Sequence, residues 1–532
     1  MQFSKVTTLG QNGDNRKSAL GPVYLAIPLL AFVAFYRSFG LYRFHDGWTF
    51  VYRAHAALAN AHALQFMLRP FDQHWSPLWH LTEMVNCALA GWESDTFIRL
   101  LTLLTYIGSL SVFVLISRRF EVSNAAVLAG LVIVGLHPTS AVTLYSFACY
   151  SQCVADLLSW GAALLFIYGL PIDSPGELRP GPIWGGVAIL AVALLFKEQA
   201  LAGLAVNSWL LALAFLKNGG RKERAAILTA FAALVAVGTV FAAIRAGAGT
   251  PMQFSGAFHV SPAHIPGSAS MLFGALLSPV PLLFWRDALH SSGPVRTVHI
   301  LLYGALCVGV CTYLAAGIIR SWKAGDRPRL HVTLVSGALV LSWFPAAMLA
   351  HVGELYVHSG LMWFALMVAL VTDMFLKGPS RLLRRSLMGL FLIWAVVSAT
   401  NLRSLLGEVR ATGERSRTWL ERIGTELAHL PNGSLVVIDA DGDAKPAFDY
   451  GLYRLSRPQY LVLTGIRPWA VRWVVNDRLT AVLREAVDDT DVRESPYHQE
   501  LIDHYRMGIA YHLKIAGDGL QVTRCASPQC DR

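Results

Sequence analysis

Apolar residues dominate the first 400 positions of the chain, in runs of about 20 residues separated by short polar stretches. A run of that length crosses the hydrocarbon core of a bilayer as a helix. The pattern predicts about eleven membrane-spanning helices, at residues 22–40, 98–116, 125–144, 150–170, 183–197, 199–216, 225–245, 299–319, 332–351, 356–376 and 386–401. A further apolar stretch, 268–285, contains Pro279 and Pro281, and we expect it to be interfacial or re-entrant.

The pattern changes in the C-terminal part of the chain. There, short apolar runs at 434–440 and 460–465 alternate with charged helical stretches such as 418–430, which is typical of a small α/β domain. The expected organisation is an N-terminal segment (1–21), a polytopic all-α membrane domain (22–401) with long loops at 41–97 and 246–298, and a C-terminal α/β domain (402–532).

Composition and charge support a membrane protein and give it an orientation. Of the residues, 54% are hydrophobic and 15% charged, whereas soluble domains carry about a quarter charged residues. The net charge of +10 comes largely from short clusters beside the apolar runs, which argues against a nucleic-acid-binding stripe. Such clusters mark cytoplasmic helix ends. They predict that the large loops and the C-terminus are extracytoplasmic, and we expect the membrane to be a bacterial inner (plasma) membrane.

The loop at 41–97 is rich in ionisable and aromatic side chains, among them Asp46, Arg69 and His74. At the mouth of a membrane cavity, a carboxylate near a histidine can abstract a proton, and a nearby arginine can bind an anion. The alternative is a wet interfacial loop whose tryptophans belong to an aromatic belt.

Three further polar interruptions fall on the same predicted side of the membrane. They are the His137-Pro138 turn with Gln152 and Asp156 after it, the Lys197-Glu198-Gln199 step between two spans, and the turn with Glu354 and Tyr356. Helix bending and packing are a sufficient explanation for the first. In the second, Lys197 either meets a phosphate or neutralises Glu198. Their common side predicts a shared extracytoplasmic cavity.

The order of these motifs resembles that of the polytopic GT-C glycosyltransferases, particularly the protein O-mannosyltransferases and the transmembrane mannosyltransferases with tetratricopeptide repeats. The resemblance covers roughly residues 22–376. It rests on Asp46 after the first helix, Arg69-Pro70, His137-Pro138 followed by Ala141, Val142 and Ser146, Lys197-Glu198-Gln199, and Glu354 with Tyr356. The chain departs from the family in having glycine after Asp46, no arginine in the last turn and no tetratricopeptide repeats.

The resemblance implies a hexosyl- or pentosyltransferase that moves a sugar from a polyprenyl-phosphate carrier to a protein, glycan or lipid acceptor, with inversion at the anomeric carbon. Asp46 would be the general base, and Arg69 and Lys197 would stabilise the departing phosphate. Glu198 would hold Lys197. Weaker candidates for substrate contact are His74, His137, Glu354 and Tyr356. No obligatory metal is predicted, and a divalent metal stays open as an alternative.

Two other classes of protein fit the same pattern. A transporter or lipid flippase would also place charges inside a polytopic bundle, and a membrane scaffold would use its outer tail to bind a partner. Transporters often contain repeated halves with broken helices near the midplane. Here the charged interruptions gather at one face and no repeat is evident, which favours the enzyme.

Overall fold

The computed structural model of the 532-residue chain describes residues 21–36, 38–41, 47–59, 61–70, 74–91, 94–145, 149–172, 178–217, 220–248, 260–281, 294–349, 354–378, 381–427, 435–441, 469–473, 509–516 and 519–526. The helices in these ranges are α1 Gly21–Phe35, α2 Gly47–Ala59, α3 Ala63–Leu68, α4 Pro77–Ala90, α5 Thr96–Arg119, α6 Asn124–Leu136, α7 Ser140–Tyr145, α8 Tyr150–Gly169, α9 Pro180–Phe196, α10 Leu201–Lys217, α11 Arg221–Gly247, α12 Ile265–Leu277, α13 Pro294–Ala324, α14 Asp326–Ala347, α15 Glu354–Leu376 and α16 Arg381–Leu427.

Within the described ranges, eight helices are long and apolar enough to cross a membrane, and α1, α6 and α9 are shorter apolar helices. Each of the predicted spans overlaps one of these helices. The prediction of an integral, mainly helical membrane protein is therefore confirmed, while the number of crossings stays a prediction. Helix α12 has 13 residues, about 20 Å of helix, which is shorter than the bilayer core. This length fits the interfacial or re-entrant segment expected there.

Helix α15 forms the centre of the bundle and packs against α6, α13, α14 and α12. In its most apolar window 83% of the residues are buried, compared with 22% in α11 and α16. Gly130 on α6 allows a close approach to α15, because a Cβ there would lie 3.0 Å from the carbonyl oxygen of Ala365. Small residues permit such contacts between membrane helices.

The predicted span 125–144 is broken in the structure, since α6 ends at Leu136 and the short helix α7 follows a turn. Backbone groups freed at such a break need protein partners inside a bilayer. The buried Arg99 supplies two of them, with its guanidinium nitrogens 2.8 Å from the carbonyl oxygen of Leu144 and 2.7 Å from that of Tyr145.

The two ends of the bundle differ in chemistry. The loop end contains α2, α3 and α4, the junction between α9 and α10, and the start of α15. The basic end contains the C-terminal ends of α5, α13 and α15 and the start of α14, where most basic clusters of the sequence lie. In the predicted orientation, the loop end is extracytoplasmic.

Helix α16 has 47 residues and continues without interruption across the predicted domain boundary at 402. Beyond it, the described residues form four strands, β1 Leu435–Asp441, β2 Trp469–Trp473, β3 Ile509–Ala516 and β4 Gly519–Ala526. The sheet order is β2-β1-β3-β4, with β1 parallel to β2 and β3 and with β3 antiparallel to β4. The strand expected at 434–440 is confirmed as β1. The strand expected at 460–465 lies outside the described residues.

Candidate functional site

The Lys197-Glu198 step lies at a sharp break between two apolar helices. Lys197 ends α9 in an extended conformation (φ −162°, ψ 137°), and a single 3-10 turn, Glu198–Ala200, leads into α10. The lysine thus lies at a helix C-terminus and the glutamate at a helix N-terminus, which are the favourable positions for a cation and an anion. The break holds both charges at the loop end of the bundle.

Two buried tryptophans hold the start of α4 and the residues just before it in the bundle. Trp75 is buried against Phe241 of α11, at a ring distance of 5.9 Å, and its indole nitrogen donates to the carbonyl of Leu68 at 3.0 Å. Trp79 is buried against Phe50 of α2. These tryptophans therefore belong to the core and not to an interfacial aromatic belt, and they fix the position of His74.

His74, Lys197 and Glu198 form one charged cluster. The Nδ1–H group of His74 donates to Oε1 of Glu198, and the Nζ atom of Lys197 lies 4.0 Å from the same oxygen. The lysine ammonium is also 5.9 Å from the centre of the Trp79 ring. The side chains are 24%, 12% and 18% exposed respectively, so a ligand at the loop end can reach them.

Two polar atoms at this cluster are buried without a hydrogen-bond partner among the described residues, namely Oε2 of Glu198 and the indole nitrogen of Trp79. Buried polar atoms are nearly always paired, so each such atom calls for an explanation. A carboxylate oxygen accepts hydrogen bonds and an indole N–H donates one. Together they suit a ligand that carries hydroxyl groups.

Three further side chains surround the cluster. Tyr356, at the start of α15, and the buried Arg245, at the end of α11, are close enough to interact electrostatically with Glu198. His80 of α4 is buried, stacks on Phe66 at 4.8 Å and has its Nδ1 atom 3.4 Å from the carbonyl oxygen of Met67. Burial is the main cause that lowers the pKa of His80 to about 4, so this ring is neutral at pH 7.

Of the residues predicted from the sequence, the structure brings together His74, Lys197, Glu198 and Tyr356. Arg69 is exposed and follows α3 in the same loop region. Glu354 is the first residue of α15, but its side chain lies outside the described part of the chain. The predicted base Asp46 also lies outside the described residues.

His137 has a different environment from the other predicted residues. It is fully buried, its Nε2–H group donates to the carbonyl of Leu276 at 3.0 Å, and its Nδ1 atom is 2.8 Å from the hydroxyl of Thr139. Both ring nitrogens are therefore occupied by the protein. The ring joins the end of α12 to the turn after α6, and the substrate contact expected from the sequence stays a prediction.

A second charged network, which the sequence analysis attributed to packing, joins α8 to α15. Nδ1–H of His358 donates to Oδ2 of Asp156 at 2.7 Å, and the Ser359 hydroxyl donates to Oδ1 at 2.8 Å. The Gln152 amide donates to the same Oδ1 at 3.0 Å. The signal for this network was Asp156 itself, because a carboxylate in an apolar span requires a partner.

In the described part of the chain, no group of three or more histidine, cysteine, aspartate or glutamate side chains is placed to hold a metal ion. His74 and Glu198 are two side chains of the kind that bind metals, and they contact each other. Asp46 and Asp72 of the same loop lie outside that part. The expectation that no metal is obligatory stays a prediction.

The helical membrane bundle has the fold of a solved protein structure, and the similarity extends over nearly the whole chain. The chain is similar to the crystal structure of ArnT from Cupriavidus metallidurans in the apo state, with 13% identity over 93% of both chains and a TM-score of 0.54. A weaker likeness links it to the archaeal oligosaccharyltransferase AglB from Archaeoglobus fulgidus, solved with an inhibitory peptide and a dolichol-phosphate. That match has 10% identity, a TM-score of 0.46 and covers 92% of this chain and 69% of AglB. No protein-family model and no curated protein matches the sequence.

Proposed function

We propose that this chain is a membrane glycosyltransferase that moves a sugar from a polyprenyl-phosphate carrier to an acceptor hydroxyl at the extracytoplasmic face. The observation that carries the proposal is the meeting of His74, Lys197 and Glu198 at the loop end. His74 comes from a part of the chain far from Lys197 and Glu198, and the three form a partly exposed cluster beside buried polar atoms that suit a hydroxylated ligand. The ArnT-like fold supports the same class of enzyme.

In the proposed reaction, the acceptor oxygen attacks the anomeric carbon of the sugar as the bond from that carbon to the carrier phosphate breaks. The acceptor proton passes to the carboxylate of Asp46, which acts as general base. The phosphate leaves with the bonding electron pair and gains negative charge. Lys197, aided by Arg69, stabilises that charge. Attack opposite the leaving group inverts the anomeric carbon.

Glu198 has two roles in this proposal. Its Oε1 atom holds the His74 ring and lies near the Lys197 ammonium, which keeps the lysine facing the departing phosphate. Its Oε2 atom accepts a hydrogen bond from a hydroxyl of the donor sugar, and this would satisfy an oxygen that is buried without a partner among the described residues. Glu354 and Tyr356, at the start of α15, complete the sugar pocket.

The finer specificity follows the resemblance of the motifs. We infer a mannosyltransferase-like enzyme of the O-mannosyltransferase branch, acting on a protein, glycan or lipid, in a bacterial inner membrane with the C-terminal α/β region outside. That region follows α16, which continues beyond the last predicted span, so it is suitably placed to select the acceptor.

The base assignment is tested with Asp46→Asn in the full chain. Because the amide cannot take the acceptor proton, we expect transfer to be abolished while expression and membrane insertion stay intact. The measurement is transfer of radiolabelled sugar from a panel of polyprenyl-phosphate sugars to acceptors in a membrane extract.

Asp95→Asn is the matched control, since Asp95 belongs to the same predicted loop and directly precedes α5. This variant should transfer sugar at the wild-type rate. Full activity of Asp46→Asn would remove Asp46 from the base role. Absence of transfer by the wild-type chain with every donor would contradict the proposed function and favour a transporter.

A further inference from the structure

A second cavity lies at the basic end of the bundle, far from the site described above. It has a volume of about 360 Å³, within the usual range for ligand pockets. Its walls come from the ends of α5, α13 and α15 and from the start of α14. Asp373 of this cavity and Tyr356 of the loop-end cluster are on the same helix, roughly 25 Å apart along its axis. The two sites therefore face opposite ends of α15.

Five charged side chains line the cavity, and most of them are paired. Arg327 forms an ion pair with Glu121, with nitrogen–oxygen distances of 2.9 and 3.0 Å. Asp373 accepts from Lys377 at 2.5 Å and from the backbone N–H of Ser123 at 3.0 Å. These pairs tie the helix ends together around the cavity and neutralise two of its three cationic side chains.

Arg320 is the remaining cation. Its guanidinium carbon lies 5.6 Å from the centre of the Phe375 ring, and among the described residues no carboxylate is within ion-pair distance of it. Three cationic side chains against two carboxylates leave one positive charge in excess in the cavity. A planar guanidinium in this situation is suited to bind an anion through two parallel hydrogen bonds.

The rim of the cavity is held in a defined shape. Glu121 has a φ of 56°, the left-handed conformation in which helices commonly end. The backbone N–H of Val122 donates to the carbonyl of Ser117 at 3.1 Å and closes the end of α5. The two contacts with Arg327 then hold the Glu121 carboxylate.

The rest of the lining is His331 and an apolar wall that includes Val332, Leu370 and Met374. An arginine with no carboxylate partner among the described residues, in a partly apolar cavity at the ends of apolar helices, matches the depth at which lipid headgroups meet acyl chains. We propose that this cavity binds the phosphate headgroup of an anionic phospholipid of the inner leaflet, with Arg320 as the main anion contact and the apolar wall against the glycerol and upper acyl chains.

The test is native mass spectrometry of the full chain in detergent, titrated with phosphatidylglycerol or with phosphatidylcholine of the same acyl chains. We expect one saturable phosphatidylglycerol site, with about tenfold weaker binding of phosphatidylcholine. Arg320→Gln should lower the affinity for phosphatidylglycerol about tenfold. Lys323→Gln is the matched control, because it removes the same charge one turn away on α13, outside the cavity lining, and it should bind like the wild type.

Gly378→Ala gives an independent test that keeps every charge. A Cβ at this position would lie 2.8 Å from one Arg320 Nη atom and 3.2 Å from the other, so it displaces the guanidinium. This variant should also weaken phosphatidylglycerol binding, and it decides the matter if Arg320→Gln fails to fold.

Three results would overturn the proposal. One is equal binding of the two lipids by the wild type. Another is equal phosphatidylglycerol affinity of the Arg320→Gln and Lys323→Gln variants. If Arg320→Gln cannot be measured, wild-type phosphatidylglycerol affinity of Gly378→Ala takes the place of that result. The third is inorganic phosphate binding as tightly as phosphatidylglycerol, which would assign the cavity to a free anion.

Discussion

Two charged clusters near the loop end use similar groups in opposite ways. In one, His74 and Lys197 meet Glu198, and all three side chains are partly exposed. In the other, His358 meets Asp156, and these side chains are only 9% and 4% exposed. Each cluster pairs a histidine with a carboxylate, so composition does not distinguish them.

The difference between the clusters lies in how completely the carboxylates are paired. Both oxygens of Asp156 accept hydrogen bonds from side chains of α15. Glu198 has one occupied oxygen, and its other is buried without a partner among the described residues. A satisfied network stabilises a particular packing of helices, whereas an incomplete one at the edge of a bundle is available to a ligand. Under the proposed function, the first cluster would contact substrate, and the second joins α8 to α15.

The largest effect that separates the clusters is expected for Lys197→Met. Loss of a cation that stabilises a leaving phosphate should reduce the turnover rate on the order of 100-fold, because removal of one oxyanion-stabilising group costs roughly that much. The measurement is the rate of sugar transfer per folded molecule. Lys217→Met is the control, since that lysine lies at the other end of α10 and donates to the Ile172 carbonyl. Equal rates in the two variants would contradict the phosphate role.

Asp156→Ala should affect stability and leave the chemistry intact. The substitution leaves the His358 and Ser359 donors buried without their acceptor, which should lower the free energy of unfolding by on the order of 1–3 kcal/mol. Thermal unfolding of the purified chain measures this effect, with the exposed Asp326→Ala as control. A collapse of the transfer rate at unchanged stability would place Asp156 in the catalytic site.

The smallest expected effect is on the pH dependence of stability and concerns His80, which lies next to the cluster of His74, Lys197 and Glu198. Its pKa in the folded chain is about 4, below the ordinary value of 6.5. Above pH 6.5 the ring is neutral in both states, and as the pH falls from 6.5 towards 4 only the unfolded chain takes up the proton. Stability is therefore lost over that window.

His80→Phe should reduce the difference in unfolding temperature between pH 7.5 and pH 5. His55→Phe replaces an exposed histidine on α2 and should keep the wild-type difference. Identical pH dependence in His80→Phe and the wild type would show that the buried ring does not contribute.

Much of the fold was predictable because the bilayer imposes its own length on apolar runs. The predicted spans coincide with helices for this reason. The long helix α16 was not predicted as one element, since its apolar run ends near residue 401. It continues because later turns are held by exposed i,i+4 ion pairs, Arg410 with Glu414 and Arg417 with Glu421. Hydropathy does not register such pairs.

Part of the site was predictable as well. Lys197 and Glu198 are neighbours in the sequence, and charges between apolar spans need a functional or structural partner. The identity of that partner could not be predicted, because His74 is 124 positions away from Glu198. His137 was singled out for the same polarity, yet its ring nitrogens are occupied by Leu276 and Thr139.

The amino-acid sequence by itself predicted that this protein lies in a membrane, where along the chain its helices are, and that its polar interruptions gather at one end of the bundle. These properties depend on local hydropathy and on the thickness of a bilayer. The tertiary structure alone decided which of these polar residues join helices to each other and which keep a buried polar atom that the proposed substrate could pair with. That depends on whether each buried polar atom finds a partner more than a hundred positions away, as Asp156 does in His358 and Oε2 of Glu198 does not among the described residues.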